Sequence, residues 1–585
     1  MTDEKPRLEA ASTGYQVHYR GRRLYASTDP RGGAVRRALS AEIPPQTLVI
    51  VASPLLGYGL AELLEHCPKD AVVVAVEADP ALSELTRGEA AAEHSAGVSD
   101  PRLFLATAAP EHEMEGAAEA LLPRLLARRP RRTRLVALSG GFALHAAAYR
   151  TLQDRLEDEI RIYWQNAMTR VRMGRLWVRN LFRNLALLSD SVPVAALADD
   201  GTLRRPTLVV GAGPSVDDHL DELPRDDDPY RDAVRILAVD TAVAPLAARG
   251  IRPDLVLAVE AQQANVADFL PVAPIHAADN SRNPYERRPG DDVGPHLICD
   301  LTVHPTVPRL FPPHKRTFVS SRFAPTALLS RLSHARVLPE EVPPLGSVGV
   351  LAVLLARRLS AGAVRFLGLD FVYDLERTHA RGSPMERLSL ARRTRLDPSP
   401  FFAAAMARPL IVATDKQGRA ARTDTVLLSY AEQLRAVVSR SEEVFDISPE
   451  AGLPNGAPAA PTPPAARRTP GSLRTLDADP QTRPVGPDAV ERVLDDEHHR
   501  VSRLVPLLRQ AVATAGADGR IETESWHGLL PLLEALDYLY LDFPDAPQPT
   551  KGFAGRVLLS ALYYQDRIRR AWRRLDMLAE NRAGM

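Results

Sequence analysis

The chain has 585 residues, 45% hydrophobic and 25% charged, the composition of a folded globular protein long enough for three or four domains. Basic and acidic residues balance at 73 each, so no net field draws the chain to nucleic acid or to an anionic membrane. Two cysteines, Cys67 and Cys299, cannot build a disulfide framework or a thiolate zinc site. Met1 to Pro6 lacks the apolar core of a signal peptide, and no stretch approaches the ~20 apolar residues of a membrane span. The expected compartment is the cytoplasm, with neither membrane nor nucleic acid as partner. The basic residues are nearly all arginine, which suits bidentate phosphate contacts and equally follows from a compositional bias.

In chain order, a first block over 1–195 opens with loops and then gives the buried-strand run Thr47–Val51, the turn Gly57-Tyr58-Gly59 and the helical Leu60–His66. Ala71–Val76 is a second strand ending in Glu77-Ala78-Asp79, with further strands at Leu103–Ala106 and Arg134–Leu138. Strands alternating with helical patterns predict a doubly wound parallel sheet, so this block is a Rossmann-like domain. It closes on a helix from Arg161 to Leu188 that carries Trp164, Asn166, Trp177, Asn180 and Asn184.

The second block, 196–452, is again α/β. Strands are expected at Thr207–Val210, Val234–Val239, Leu255–Val259 and Val364–Leu369, with helices at Thr241–Ala248 and Val348–Leu359. Residues 453–487 are rich in Pro, Ala and Arg and are expected to form an extended linker. The last block, 488–585, shows helical patterns at Val493–Ala515, Trp526–Leu541 and Phe553–Leu578, a small bundle.

The sharpest local signal is Leu208-Val209-Val210-Gly211-Ala212-Gly213-Pro214-Ser215-Val216, a strand entering a glycine turn and then a helix. Glycines admit a close approach by a ligand, Pro214 fits a first helical turn, and a helix start offers N–H donors to a phosphate. A dinucleotide fingerprint wants glycine where Val216 stands, and a P-loop wants Gly-Lys-Ser/Thr, so neither is present. A plain strand-to-helix turn is the other reading of the same residues. The next strands end in Asp240-Thr241 and in Glu260, and in an open parallel sheet such strand ends face the ligand crevice.

The order Gly211-Ala212-Gly213-Pro214-Ser215, Ala238-Val239-Asp240-Thr241, Gly250-Ile251-Arg252-Pro253-Asp254 and Ala258-Val259-Glu260-Ala261-Gln262 resembles the motility accessory factors. These are flagellin-type glycosyltransferases of bacteria with a distant fold likeness to CMP-sialic acid transferases. Leu345-Gly346-Ser347-Val348, Leu367-Gly368-Leu369-Asp370-Phe371 with Thr378-His379-Ala380-Arg381-Gly382, and Thr414-Asp415-Lys416-Gln417-Gly418 before Thr423-Asp424 agree with it. So do Asp29-Pro30, Leu56-Gly57-Tyr58-Gly59 and the Trp/Asn helix, and the resemblance spans residues 15 to 450.

The resemblance implies a central sialyltransferase-like α/β domain that moves a nonulosonic acid from its CMP ester to Ser or Thr of flagellin, with no cofactor required. By it, Gly211, Gly213, Pro214 and Ser215 hold the CMP phosphate. Asp240, Thr241, Glu260 and Gln262 face ribose, base or sugar hydroxyls, Gly346 and Ser347 line the nucleotide, and Thr423 and Asp424 belong to the donor site. Asp370 and His379 lie near the reacting carbon, either of them the base that deprotonates the acceptor. Where the sialyltransferases place a histidine before Thr-Asp, this chain has Arg419-Ala420-Ala421-Arg422, so that base does not carry over.

Two other readings share these motifs. One is a 6-hydroxymethylpterin diphosphokinase, which would use ATP and Mg2+ held by carboxylates such as Asp240 and Asp370; the other is a non-catalytic nucleotide-binding homologue. Asp226-Asp227-Asp228 is expected to be a solvated loop, Glu497-His498-His499 a helix segment whose histidines point apart, and no metal site is expected. Glu77 and Asp79 imitate the ribose-binding strand end of a methyltransferase, which in the resembling family belongs to an accessory domain.

Overall fold

The computed structural model describes residues 5–26, 28–87, 100–107, 120–198, 205–272, 294–321, 326–373, 377–396, 398, 408–440, 443–448, 450–459, 485–542 and 547–583. Contacts divide the chain into two units, Met1–Thr169 and Arg170–Met585, and the division falls inside one long helix, Ala146–Leu185. That helix begins a full four turns before Arg161, because Tyr149, Leu152, Leu156 and Ile160 make one buried stripe at helical spacing.

The first unit opens with an antiparallel sheet of β1 (Arg7–Ala11), β2 (Gly14–Tyr19) and β3 (Arg22–Arg23). Its main sheet joins β4 (Thr47–Ala52), β5 (Val72–Glu77), β6 (Leu103–Thr107) and β7 (Arg132–Ala137) in the order β6-β5-β4-β7, all parallel. Every residue of β4 and β5 is buried, as expected of continuous apolar runs covered on both faces. The four strands foreseen from sequence are these four.

The second unit is built on eight strands in the order β13-β12-β11-β10-β9-β8-β14-β17, paired in parallel throughout. They are β8 (Thr207–Val210), β9 (Arg235–Val239), β10 (Leu255–Ala258), β11 (His296–Asp300), β12 (Arg316–Ser321), β13 (Glu341–Val342), β14 (Val364–Leu367) and β17 (Val444–Asp446). A hairpin of β15 (Ile411–Thr414) and β16 (Ala420–Thr423) stands apart from them. From β8 the chain steps outward through β9 to β13 and returns to β14 on the other side of β8, so the topological switch lies between β8 and β14. The helix Val348–Leu359 covers β8, β9 and β14, and its end is only a few residues before β14 begins. Its N-terminus therefore sits at the carboxyl edge of the sheet.

Four of these eight strands were foreseen. Those missed carry polar residues that the fold satisfies internally. β12 reads Arg-Thr-Phe-Val-Ser-Ser and is wholly buried; Thr317 Oγ1 donates to the Val192 carbonyl (2.8 Å), and the Ser321 N–H donates to Asp300 (2.7 Å). Asn180 and Asn184, one turn apart on the long helix, play a similar part. Their side-chain amides donate to the carbonyls of Ala261 and Thr302, and of Leu301 and Val303, at 2.9 to 3.0 Å. The loops after β10 and β11 are thereby tied to one helix face.

The C-terminal helices Pro487–Ala513, Thr523–Ala535 and Lys551–Ala583 share one hydrophobic core with this sheet. Phe182 meets Tyr538 and Tyr564 with ring centroids 5.7 and 6.1 Å apart. Glu497, 1% exposed, accepts from both arms of Arg331 and from the Tyr538 hydroxyl (3.2 Å). Of the Pro/Ala/Arg-rich stretch, the described residues 453–459 anchor at two points: Leu453 and Asn455 are buried, and Asn455 donates to Asp446 (2.7 Å). Residues 460–484 lie outside the described residues.

Glu497→Ala strands the Arg331 guanidinium beside buried apolar surface. Denaturant unfolding of the full chain should show a loss of about 3 kcal/mol, against about 1 kcal/mol for Tyr538→Phe.

Candidate functional site

The glycine turn 211–215 meets the turn after β14 at the topological switch, and the two are interlocked by hydrogen bonds. The Gly211 N–H donates to the Leu367 carbonyl and the Gly213 N–H to the Gly368 carbonyl, both at 2.9 Å. Asp370 closes the pair, its Oδ2 accepting from the Ser215 N–H (2.9 Å) and its Oδ1 from the Ser215 hydroxyl (2.5 Å). The glycines are required by this contact. A Cβ at Gly211 would run into the Gly368 carbonyl, and one at Gly213 would stand 2.5 Å from Asp370 Oδ2. Burial pushes the Asp370 carboxyl upward, against the pull of both Ser215 donors.

The N–H groups of Gly211, Gly213, Ser215, Val216 and Asp217 all have acceptors within the protein, and Pro214 has no N–H to give. The side-chain-free surface thus receives the chain's own second turn. Asp370 sits where an anion would, and its carbonyl further accepts from the Leu453 N–H (2.9 Å).

Free donors lie one side chain away. The Leu369 methyl that excludes a Cβ at Gly211 also excludes one at Gly349, which brings the first turn of the helix Val348–Leu359 against the glycine turn. Ser347 is its N-cap in an extended conformation, and the Ser347 hydroxyl makes no capping bond. The first intrahelical bond runs from Leu351 to the Ser347 carbonyl, so the preceding amides of the helix start are without intrahelical acceptors. Gly346 is exposed, and a Cβ there would enter the Tyr430 ring.

His379 flanks the same turn, because the Ala380 N–H donates to the Ala212 carbonyl (2.9 Å). Its loop is clipped to the helix Val216–His219 by Arg377 and the Arg381 N–H, both donating to Asp217. Burial holds the His379 imidazole below the usual histidine range, so it is neutral at physiological pH; its Nδ1 lies 3.1 Å from the Thr378 hydroxyl.

Asp240 and Glu260 end neighbouring strands as expected. Asp240 is buried, with Oδ1 accepting from the Thr241 N–H (2.9 Å) and Oδ2 from the Asn265 amide (2.7 Å). The same Asn265 amide donates to Asp268 (3.1 Å), and Asn265 Oδ1 and Asp268 Oδ1 are buried without a partner among the described residues. Neither Asn265 nor Asp268 was expected from sequence; their i, i+3 spacing on the short helix after β10 was the available signal. Glu260 is half-buried and accepts from the Gln262 N–H (2.9 Å), while Gln262 itself is exposed.

Thr423 and Asp424 build the site from behind. Both are fully buried: Thr423 donates to the Phe371 carbonyl (2.8 Å), and Asp424 caps the helix Thr425–Val438 through the Val426 and Leu427 N–H groups. Asp424 also accepts from Tyr373 (2.7 Å) and Arg408 (3.2 Å). Burial raises its carboxyl, but these donors outweigh burial and hold it below the usual range. Arg419 is engaged by Asp415 (2.8 Å) and the Glu450 carbonyl (3.2 Å).

The discounted signals resolve as packing. In the first unit Glu77 accepts from Ser53 (2.8 Å) and Tyr149 (3.3 Å), and burial pushes its carboxyl up to about 7. Asp79 lies 3.0 Å from His145 and 3.4 Å from Arg20. In the second, Asp226 accepts from the N–H and guanidinium of Arg252, and Asp228 from the Tyr230 N–H. Among the described residues no group of three or more His, Cys, Asp or Glu is arranged to hold a metal ion. No helix among them is long and apolar enough to cross a membrane.

The Asp240–Asn265–Asp268 network has a pH signature. Burial lifts the Asp240 carboxyl to about 6; burial, with Asp240 and Glu260 nearby, lifts that of Asp268 to about 7. Both hold a proton more firmly in the folded chain than in the unfolded one. Their stabilisation is therefore complete below about pH 4 and is lost as pH rises to about 7. Asp268→Asn, which needs no proton, should flatten this fall by on the order of 1–3 kcal/mol in urea unfolding followed between about pH 4.5 and 7.5.

The sequence model of the "6-hydroxymethylpterin diphosphokinase MptE-like" family matches residues 179–376, from the end of the long helix to just past Asp370. An uncharacterized protein of Treponema pallidum (strain Nichols) is 28% identical over 390 residues, 66% of this chain, and the match spans 62% of that relative's length. Among solved structures, the MAf glycosyltransferase from Magnetospirillum magneticum AMB-1 superposes with a TM-score of 0.53 at 16% identity, covering 98% of this chain and 90% of that one. The chain thus has the fold of a Maf glycosyltransferase with an MptE-like segment at its centre, the relationship that the ordered motifs imply.

Proposed function

We propose that the second unit is a glycosyltransferase that moves a nonulosonic, sialic-acid-like sugar from a CMP donor to Ser or Thr hydroxyls of flagellin in the cytoplasm. The observation that carries this reading is the open start of the helix Val348–Leu359, with its uncapped Ser347, set beside the glycine turn and the neutral His379. The Maf-like fold and the order of the motifs support it.

In this reading the donor phosphate is met by the Ser347 hydroxyl and the helix-start amides, where the helix dipole adds a few tenths of a kcal/mol to direct hydrogen bonding. The glycine turn, braced by Asp370, forms the floor. Glu260 and Gln262 take ribose or sugar hydroxyls, and Asp240 with Thr241 positions Asn265 beside them. The bond between the sugar carbon and the phosphate oxygen breaks, CMP keeps the electron pair, and fixed donors stabilise the charge that develops on it. The acceptor oxygen bonds to the same carbon while His379 takes its proton. Asp370, fully hydrogen-bonded to Ser215, acts as a positioning residue. The reading calls for no metal.

The MptE-like match favours a second reading, pyrophosphate transfer from ATP, and one titration separates the two. Isothermal titration with CMP, UDP and ATP, with and without Mg2+, should show CMP preferred and metal-independent. Ser347→Ala should weaken CMP about tenfold. His379→Ala should leave CMP affinity within threefold and lower transfer about 10²–10³-fold. In the native chain the rate should hold its plateau at neutral pH and fall only below the ordinary histidine range. Mg2+-dependent ATP binding without CMP binding would overturn the assignment.

A further inference from the structure

A second charged feature plays no part in the crevice chemistry. A cavity of about 260 Å³ opens between the end of the long helix and the helix Lys551–Ala583, lined by Arg183, Arg567, Arg570, Ala571, Arg573 and Arg574. Five of its six lining residues are arginines. Among the described residues one carboxylate answers them: Asp566, 2.9 Å from Arg570. Arg567 stacks over the Tyr563 ring at 4.9 Å and forms no ion pair among the described residues.

Arg179 and Arg309 stand behind this wall. Arg309 donates to the Arg183 carbonyl (3.0 Å), and burial, with Arg574, Arg183 and Arg316 nearby, pushes its guanidinium down to about 10. Burial lowers Arg183 too, and Arg574, Arg179 and Arg567 add to it. The decisive observation is that Arg567 Nε and Arg574 Nη1, on two of the lining residues, are buried and have no hydrogen-bond partner among the described residues, and the same holds for Arg179 Nε nearby. A buried N–H without an acceptor is costly, and like charges gathered around it add to the cost. Native chains rarely keep several such donors together unless something completes them.

We propose that this cleft is a binding site for a small, multiply charged oxyanion of the phosphate class, one or two phosphate groups in size. Guanidinium forks match phosphate oxygens bidentately, and a phosphate offers enough acceptors for the guanidinium donors of Arg567 and Arg574, the two unpartnered arginines that line the cleft. The cavity is smaller than the roughly 300–1,000 Å³ of sites for drug-sized ligands, which excludes a whole nucleotide sugar. It is set apart from the glycine turn: Asn184 and Arg309 connect the cleft to the segment after β11, three strands from β8, roughly 14 Å at the usual strand spacing, and one strand from the segment after β10 that carries Glu260 and Gln262.

The test uses the full chain, followed by thermal unfolding and calorimetry in sodium phosphate and in sodium pyrophosphate, each against sodium chloride at equal ionic strength. Phosphate or pyrophosphate should raise the melting temperature by a few degrees beyond chloride, the two arms telling a one-group site from a two-group site. The double variant Arg567→Gln/Arg574→Gln should melt no lower than the native chain without anion, because it removes repulsion. Its anion affinity should fall at least tenfold, with CMP affinity unchanged. If that variant fails to accumulate, Arg573→Gln, at an exposed position, should weaken the anion threefold or more. A response no greater than that to chloride, or one retained in these variants, overturns the proposal.

Discussion

The carboxylate of Asp370 clasping Ser215 is the constraint on which the second unit's candidate site depends. It joins the ends of β8 and β14, strands adjacent in the sheet but far apart in sequence, at the one place where the sheet reverses its direction of build. Two glycines and a buried acid are needed for that clasp, since a Cβ at Gly211 or Gly213 would collide with the second turn. The crevice is therefore preassembled by the protein's own anion, and a ligand meets a finished surface rather than a loop awaiting order.

Two further networks hold the remaining strand ends. Asn180 and Asn184 fasten the segments after β10 and β11, while Asn265 bridges Asp240 and Asp268. Asn180 and Asn184 satisfy backbone carbonyls just past the parallel strands, and Asn265 bridges the carboxylates of Asp240 and Asp268. The carboxyl edge of the sheet is thus tied down on the β9-to-β11 side of the switch. Such stiffness suits chemistry in which donors must already point at a developing charge.

Much of this was legible in the sequence, unevenly. Apolar runs such as Leu48-Val49-Ile50-Val51 and the helix Val348–Leu359 announce themselves by period and length, and the structure has them within a residue or two. β12 was hidden because Arg316, Thr317, Ser320 and Ser321 read as surface until distant partners bury them. The glycine turn was recognisable, but composition cannot tell a glycine that admits a ligand from one that admits another turn of the same chain. Asp370, Thr423 and Asp424 were found as motif residues, yet their hydrogen bonds face inward. The arginine cleft left no trace, because Arg183 and Arg574 are brought together by folding alone.

The arrangement of the eight-stranded sheet has a consequence for biosynthesis. β8 finds its partner β9 soon after leaving the ribosome, but its other edge pairs with β14, roughly 150 residues further along. At about 5–20 residues per second the nascent chain carries an apolar strand with one open edge for roughly 8–30 s. Throughout that interval the central strand offers its unpaired amides to any neighbouring polypeptide, a natural point of engagement for a holdase chaperone.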